Sequence, residues 1–325
     1  MTRTGGARGL PDAPVETLVE RARSGDPRSV ARLISLVEDA SPRLPDITAA
    51  LVPYAGHAQI VGITGPPGVG KSTTTSMLVA ALRRQDSRVG VLAVDPTSPF
   101  SGGALLGDRV RMQEHAVDAE VFIRSMATRG HLGGLAWATP QALRVLDAAG
   151  CDVILVETVG VGQSEVEIAG LADTTLVLLA PGMGDGIQAA KAGILEVGDI
   201  YVVNKADREG AHQVVRDLRN MLALADRPEG AWRPPIIETV ATSGEGLDKV
   251  AAEIDRHRDW MTGSGELDAR RRRRAREEIE AIAVTSLREK FESVHADVRL
   301  DALAESVVRG DLDPYAAADS IIAAL

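Results

Sequence analysis

From Ala58 to about Ile254 the chain alternates short apolar runs with longer amphipathic stretches. Runs such as Ile60 to Ile63, Val89 to Val94 and Ile200 to Val203 are unbroken by polar residues. They are too short for buried helices and read as strands covered on both faces. The pattern predicts strands near 59–63, 89–94, 120–123, 152–157, 174–180, 199–203 and 235–239, with a helix over Ser72 to Leu82. Strands alternating with helices imply βα crossovers, hence an α/β fold with a mainly parallel sheet flanked by helices. Ahead of the sheet, Leu18, Val19, Ala22, Val30, Leu33, Leu36 and Val37 recur at helical spacing between Val15 and Val37. Gly25-Asp26-Pro27 splits that stretch into two helices. Past a break at Gly263 to Gly265 the chain is helical again, charged and amphipathic over Leu267 to His295, with Asp313-Pro314 starting a last helix. No internal repeat is present.

The loop after the first strand reads Gly65-Pro66-Pro67-Gly68-Val69-Gly70-Lys71-Ser72, followed by Thr73. This is the full G-x-x-x-x-G-K-[ST] spacing, and it lies between a strand and a helix as a phosphate loop requires. Glycines let successive backbone N–H groups turn inward toward phosphates. Lys71 is placed to neutralise the β- and γ-phosphates, Ser72 to offer its hydroxyl to Mg²⁺, and the following helix to face the anion with its positive end.

The base is read downstream, where Ile200 to Val203 end in Asn204-Lys205-Ala206-Asp207. An ionised aspartate only accepts hydrogen bonds, and guanine presents two adjacent donors, N1–H and the 2-amino group. Adenine offers neither there, so N-K-x-D at a strand end favours GTP over ATP. Thr242-Ser243-Gly244, after the Ile236-Ile237 run, would add backbone N–H groups behind the base.

Three carboxylates are candidates for the metal. Asp95 ends the 89–94 strand, Asp108 lies in the Gly- and Ser-rich stretch Ser98 to Arg111 that suits a first switch, and Glu157 opens Glu157-Thr158-Val159-Gly160. Gly160 would give an N–H to the γ-phosphate. Many GTPases carry a glutamine just after that glycine to orient the attacking water, but Val161 stands here, so slow intrinsic hydrolysis is expected. Lys71, Glu157 and Gly160 are thus the expected catalytic set.

With 325 residues and a mass of 34.3 kDa the chain is long enough for one large α/β domain with helical additions. A net charge of −10 argues against nucleic acid as a partner. The exception, Arg270 to Arg274, reads as a solvated helix, because Glu277 and Glu278 lie four residues beyond Arg273 and Arg274. The single cysteine, Cys151, has no disulfide partner, the first dozen residues lack the apolar core of a signal peptide and read as disordered, and no apolar run reaches membrane length. A cytoplasmic protein with no membrane association is expected. His57, His115, His131, His212, His257 and His295 are scattered and lack ligand spacing with Cys151, so no structural zinc is implied.

The chain resembles the MeaB/MMAA (ArgK-type) P-loop GTPases over most of its length. The likeness rests on GPPGVGKS and NKAD together with the stretches Val94 to Met112, Ile123 to Ala136, Glu157 to Glu165 and Pro181 to Glu196. The resemblance implies a homodimeric guanine-nucleotide switch, using GTP/GDP and Mg²⁺, that gates adenosylcobalamin delivery to methylmalonyl-CoA mutase or a related acyl-CoA mutase and protects the cofactor. It also implies that Asp185, Gln188 and Lys191 lie in a further switch segment coupled to the mutase, where the residues alone read as a βα connection. The expected organisation is an N-terminal helical extension over 1–55, a GTPase domain over 56–258 and a C-terminal helical dimerisation arm over 259–325. Alternatives are a GTPase metallochaperone for nickel enzymes, a P-loop kinase of a transport protein, and a structural partner that binds GDP and barely turns over.

Overall fold

The computed structural model describes residues 13–96, 115, 117–128, 138–158, 164–182, 196–224, 228–295 and 299–323. The first dozen residues, Asp108, Gly160, Val161, Asp185, Gln188 and Lys191 lie outside them.

Two helices, α1 (Val15–Arg23) and α2 (Pro27–Glu38), occupy the expected N-terminal stretch. Asp26 caps α2 by accepting from the Arg28 amide, and Pro27 starts it, which is why the chain breaks there. Helix α3 (Leu44–Leu51) follows, and the apolar pattern did not foresee it. The strands are β1 (Gln59–Thr64), β2 (Val89–Pro96), β3 (Val121–Thr128), β4 (Val153–Thr158), β5 (Thr174–Leu179), β6 (Ile200–Asn204) and β7 (Ile236–Thr239). Between and beyond them lie α4 (Lys71–Arg83), α5 (Ala138–Ala148), α6 (Ser164–Leu171), α7 (Ala211–Leu224), α8 (Leu247–Ser264) and α9 (Glu266–His295).

The strands form one sheet in the order β3-β2-β4-β1-β5-β6-β7, every neighbour parallel. Side chains alternate between its faces. Leu92, Val94, Ile154 and Val156 join α1, α2, α3 and α5 in one cluster, while Val61, Ile63, Val91 and Leu155 join α4 and α8 in another. The N-terminal helices therefore share a core with the sheet. β3 runs longer than its apolar pattern because Arg124 interrupts it; that side chain is paired with Glu38 and Ser35 of α2.

A parallel sheet leaves backbone donors at the start of its strands, and here aspartates accept them. Asp173 accepts from the Ile60 amide at 3.0 Å, Asp199 from Thr175 at 2.8 Å, and Asp152 from Arg88 at 2.7 Å.

The chain divides into two compact units, residues 1–270 and 271–325. The second holds the rest of α9 and helices α10 (Arg299–Arg309) and α11 (Pro314–Ile322). Asp313 caps α11 by accepting from the Tyr315 and Ala316 amides, as its Asp-Pro start implies. One expectation needs correction. Arg270 is not a solvated member of the arginine run: it forms a two-pronged ion pair with Asp199, both contacts at 2.9 Å. No described helix is long and apolar enough to cross a membrane.

His257 of α8 is fully buried beside the start of β5, stacked on Trp260 and beside Trp232. Thr174 Oγ1 accepts from Gln59 Nε2 at 3.2 Å and lies within hydrogen-bond distance of His257 Nδ1, at 2.9 Å. His257 Nε2 lies 3.5 Å from Asp199 Oδ1. Burial outweighs the neighbouring Asp199, Asp173 and Glu266 carboxylates, and Arg270 adds to it, pushing His257 down to about 4. The folded protein thus keeps His257 neutral where the unfolded chain protonates it. Stability from this residue is complete above about pH 6.5 and is lost as pH falls from there to about 4, by up to about 3 kcal/mol. Urea melts at pH 7.5 and pH 4.5 should therefore show a smaller acid loss for His257→Gln than for wild type. An equal loss would remove His257 from the acid sensitivity.

Candidate functional site

Gly65 follows β1 with φ 142°, and a Cβ there would lie 2.3 Å from the Leu178 carbonyl oxygen of β5. Only glycine lets the loop leave the sheet this close to its neighbour. Gly70 (φ 97°) is the N-cap of α4 and brings no side chain to its first turn, whose N–H groups point along the helix axis toward the loop. Lys71 is buried, and its Nζ donates to the carbonyls of Gly65 at 2.7 Å and Pro66 at 3.2 Å. Pro67 and Gly68 are exposed at the loop's tip, Val69 is buried, and Thr73 sits half-buried in the first turn of α4.

Ser72 donates its hydroxyl to Glu157 Oε1 at 2.6 Å. Glu157 sits near the end of β4, buried, in register with Ile63 of β1 and Ala93 of β2. Asp95 lies two residues past Ala93 on the same rim, in register with Ala127 of β3. A serine hydroxyl beside a carboxylate is an oxygen donor set of the kind Mg²⁺ selects.

The loops after β6 and β7 meet the phosphate loop through Asn204. Its Nδ2 donates to the Val69 carbonyl at 2.7 Å, while Oδ1 accepts from the Ala241 amide at 3.0 Å and the Thr239 hydroxyl at 3.3 Å. A Cβ on Gly70 would lie 2.5 Å from Nδ2, so glycine is required there for a second reason. Lys205 takes φ 58° and donates from Nζ to the Gly68 carbonyl at 2.7 Å. These contacts hold Asp207 on an exposed turn beside the phosphate loop. Thr242 and Ser243 are exposed, and Gly244 (φ 78°) turns over Met77 of α4, whose methyl would lie 2.9 Å from a Cβ at that position. The structure thus brings together 65–73, Glu157, 204–207 and 242–244 on the C-terminal rim of the sheet. Sequence reasoning did not single out Thr239, Ala241 or Met77, whose roles are in support of these loops and carry no motif.

At the opposite rim a cavity of about 180 Å³ is lined by Arg88, Glu120, Phe122 and Cys151 among others. Arg88 holds Glu120 below the usual carboxylate range, and burial pushes the Cys151 thiol up to about 12, so it is inert near neutrality.

A phosphate loop and an N-K-x-D loop laced together at the rim of a parallel sheet define a P-loop GTPase. The comparisons give the particular family. Residues 30–296 match the family described as methylmalonyl Co-A mutase-associated GTPase MeaB, and the chain belongs to it. A Pyrococcus abyssi protein described as a GTPase is 49% identical over 310 residues, covering 95% of this chain and 96% of its own. The mouse protein described as methylmalonic aciduria type A homolog, mitochondrial, is 38% identical across 81% of this chain and 65% of its own. Among solved structures, that of LAO/AO transport system kinase superposes with a TM-score of 0.70 at 26% identity, covering 96% and 98% of the two chains.

Proposed function

We propose that this GTPase uses GTP with Mg²⁺ as a slow molecular switch that gates adenosylcobalamin delivery to methylmalonyl-CoA mutase, or a related acyl-CoA mutase, and protects the cofactor there. The observation that carries the reading is the match to the mutase-associated family over residues 30–296, joined to a site that can read guanine and grip phosphates. In this reading Lys71 and the first turn of α4 hold the β- and γ-phosphates, and Asp207 accepts from the guanine edge. Thr242-Ser243-Gly244 backs the base. Ser72 and Glu157, with Asp95 and Asp108, hold Mg²⁺, which would screen the phosphate charge and polarise the γ-phosphoryl group. Gly160 donates to the γ-phosphate, and Asp185, Gln188 and Lys191 pass the nucleotide state to the mutase.

In this reading the protein works in the cytoplasm as a homodimer. Residues 259–325 serve as the dimerisation arm, a role supported by Ile279, Ile282, Val284 and Leu287, all exposed on α9. The remaining boundaries are a helical extension over 1–55 and the GTPase domain over 56–258.

Purified adenosylcobalamin-dependent mutase is expected to raise phosphate release from GTP severalfold above the basal rate of this chain alone. An unchanged rate across a titration of mutase would sink the partner assignment. Label from γ-phosphate appearing on a transport protein instead of in solution would favour the reading as a P-loop kinase of a transport protein.

A further inference from the structure

Arg270 closes a cluster on the rim opposite the nucleotide loops. Its Nη1 donates to Asp199 Oδ2 and to the Asp173 carbonyl, its Nη2 to Asp199 Oδ1, all at 2.9 Å, and its Nε to Glu266 at 3.2 Å. Two of these partners, Asp199 and Asp173, adjoin strands that reach the site. Asp199 leads into β6, which ends at Asn204, and Asp173 holds the Ile60 amide of β1, which runs into the phosphate loop. Gln59 of β1 donates to the Ile254 carbonyl of α8 at 3.1 Å, and α8 begins just after Thr242-Ser243-Gly244. Strands of five or six residues span about 17–20 Å. One end of β1 and of β6 therefore bears a nucleotide loop while the other end is tied to this cluster, and α8 is joined to β1 at mid-helix.

Arg270 also stands where the chain leaves the larger unit. α8 stops at Ser264, Gly265 takes φ 76°, α9 starts at Glu266, and residues from 271 onward belong to the second unit. A Cβ at Gly265 would meet nothing within 4 Å, so its glycine answers to the backbone turn and not to crowding. The Arg270 and Asp199 side chains are 26% and 9% exposed. Desolvating such a pair offsets much of its Coulomb attraction, so its net contribution to stability is small. A guanidinium fork met by two carboxylate oxygens and a carbonyl does fix direction, which a lysine at the same place could not.

We infer that the Arg270 clamp is a joint lock that links guanine-nucleotide occupancy to the first turns of α9. Nucleotide seated on the phosphate and base loops, which Asn204 and Lys205 already join, shifts β1, β6 and α8 relative to one another at the rim that bears Arg270. The geometry in which Arg270 can satisfy Asp199 and Asp173 at once is then favoured in one nucleotide state over another. Linkage is reciprocal, so loosening the clamp must change nucleotide affinity by the same factor.

Hydrogen exchange of the full-length protein tests this with no nucleotide, with GDP and with a non-hydrolysable GTP analogue. In wild type, amides over 259–275 should differ in exchange rate between states by at least about fivefold. Arg270→Ala should exchange fast in every state and shift GDP affinity by a comparable factor, with Arg270→Lys resembling Ala because it lacks the fork. Equal wild-type protection in all three states overturns the inference, and that arm depends on no variant folding. So does a folded Arg270→Ala protein that keeps both the wild-type nucleotide dependence and the wild-type GDP affinity.

Discussion

Lys71→Ala should lower GTP turnover by at least about a hundredfold while leaving the fold in place. The ammonium sits at the centre of the loop, 2.7 Å from the Gly65 carbonyl and 3.2 Å from that of Pro66, buried at the foot of α4. Charge that develops on the γ-phosphoryl oxygens during transfer would be met there by a cation already positioned and largely shielded from water, where its effect is greatest. The main supports of the loop lie elsewhere. Gly65 is seated against Leu178, and Val69 is held by Asn204. The loss should therefore be local, with a melting temperature within a few degrees of wild type. Phosphate release and a thermal melt on the same preparation check both halves. Hydrolysis at the wild-type rate would remove the loop from the chemistry.

Much of this site was legible because its chemistry is local in sequence. A phosphate loop needs glycines, a lysine and a hydroxyl within eight residues, and strands buried on both faces read as unbroken apolar runs, so β1, β2, β4, β5 and β6 fall where the pattern puts them. What was hidden depends on partners far along the chain. β3 extends to Thr128 although Arg124 interrupts its pattern, because Glu38 and Ser35, more than 80 residues earlier, receive that guanidinium. Arg270 looked like one member of a basic run, yet its counter-ion is Asp199, 71 residues away. Asn204 was read as part of a base motif. Its side chain also reaches Val69, Thr239 and Ala241, which makes it a strut between three loops as well. No periodicity or spacing records such contacts, since they exist only once the strands are side by side.

Asp207→Asn should convert the base preference from guanine to xanthine. The carboxylate stands on an exposed turn, reached through Lys205 in a left-handed conformation and anchored by Asn204, and among the described residues none forms an ion pair with it. Guanine would donate two hydrogen bonds to it, from N1–H and from the 2-amino group, and bonds to a charged acceptor contribute about 1.5–3 kcal/mol each. An amide at this place keeps an acceptor for N1–H but turns an N–H toward the 2-amino group, donor against donor. Losing one bond and creating that clash should weaken GTP by about a hundredfold or more. Xanthine has a carbonyl oxygen at the same position, which the new amide can donate to, so xanthosine triphosphate should bind the variant better than it binds wild type and restore turnover. Titration of both nucleotides against both proteins checks the exchange. Unchanged GTP affinity in the variant would place guanine recognition somewhere other than Asp207.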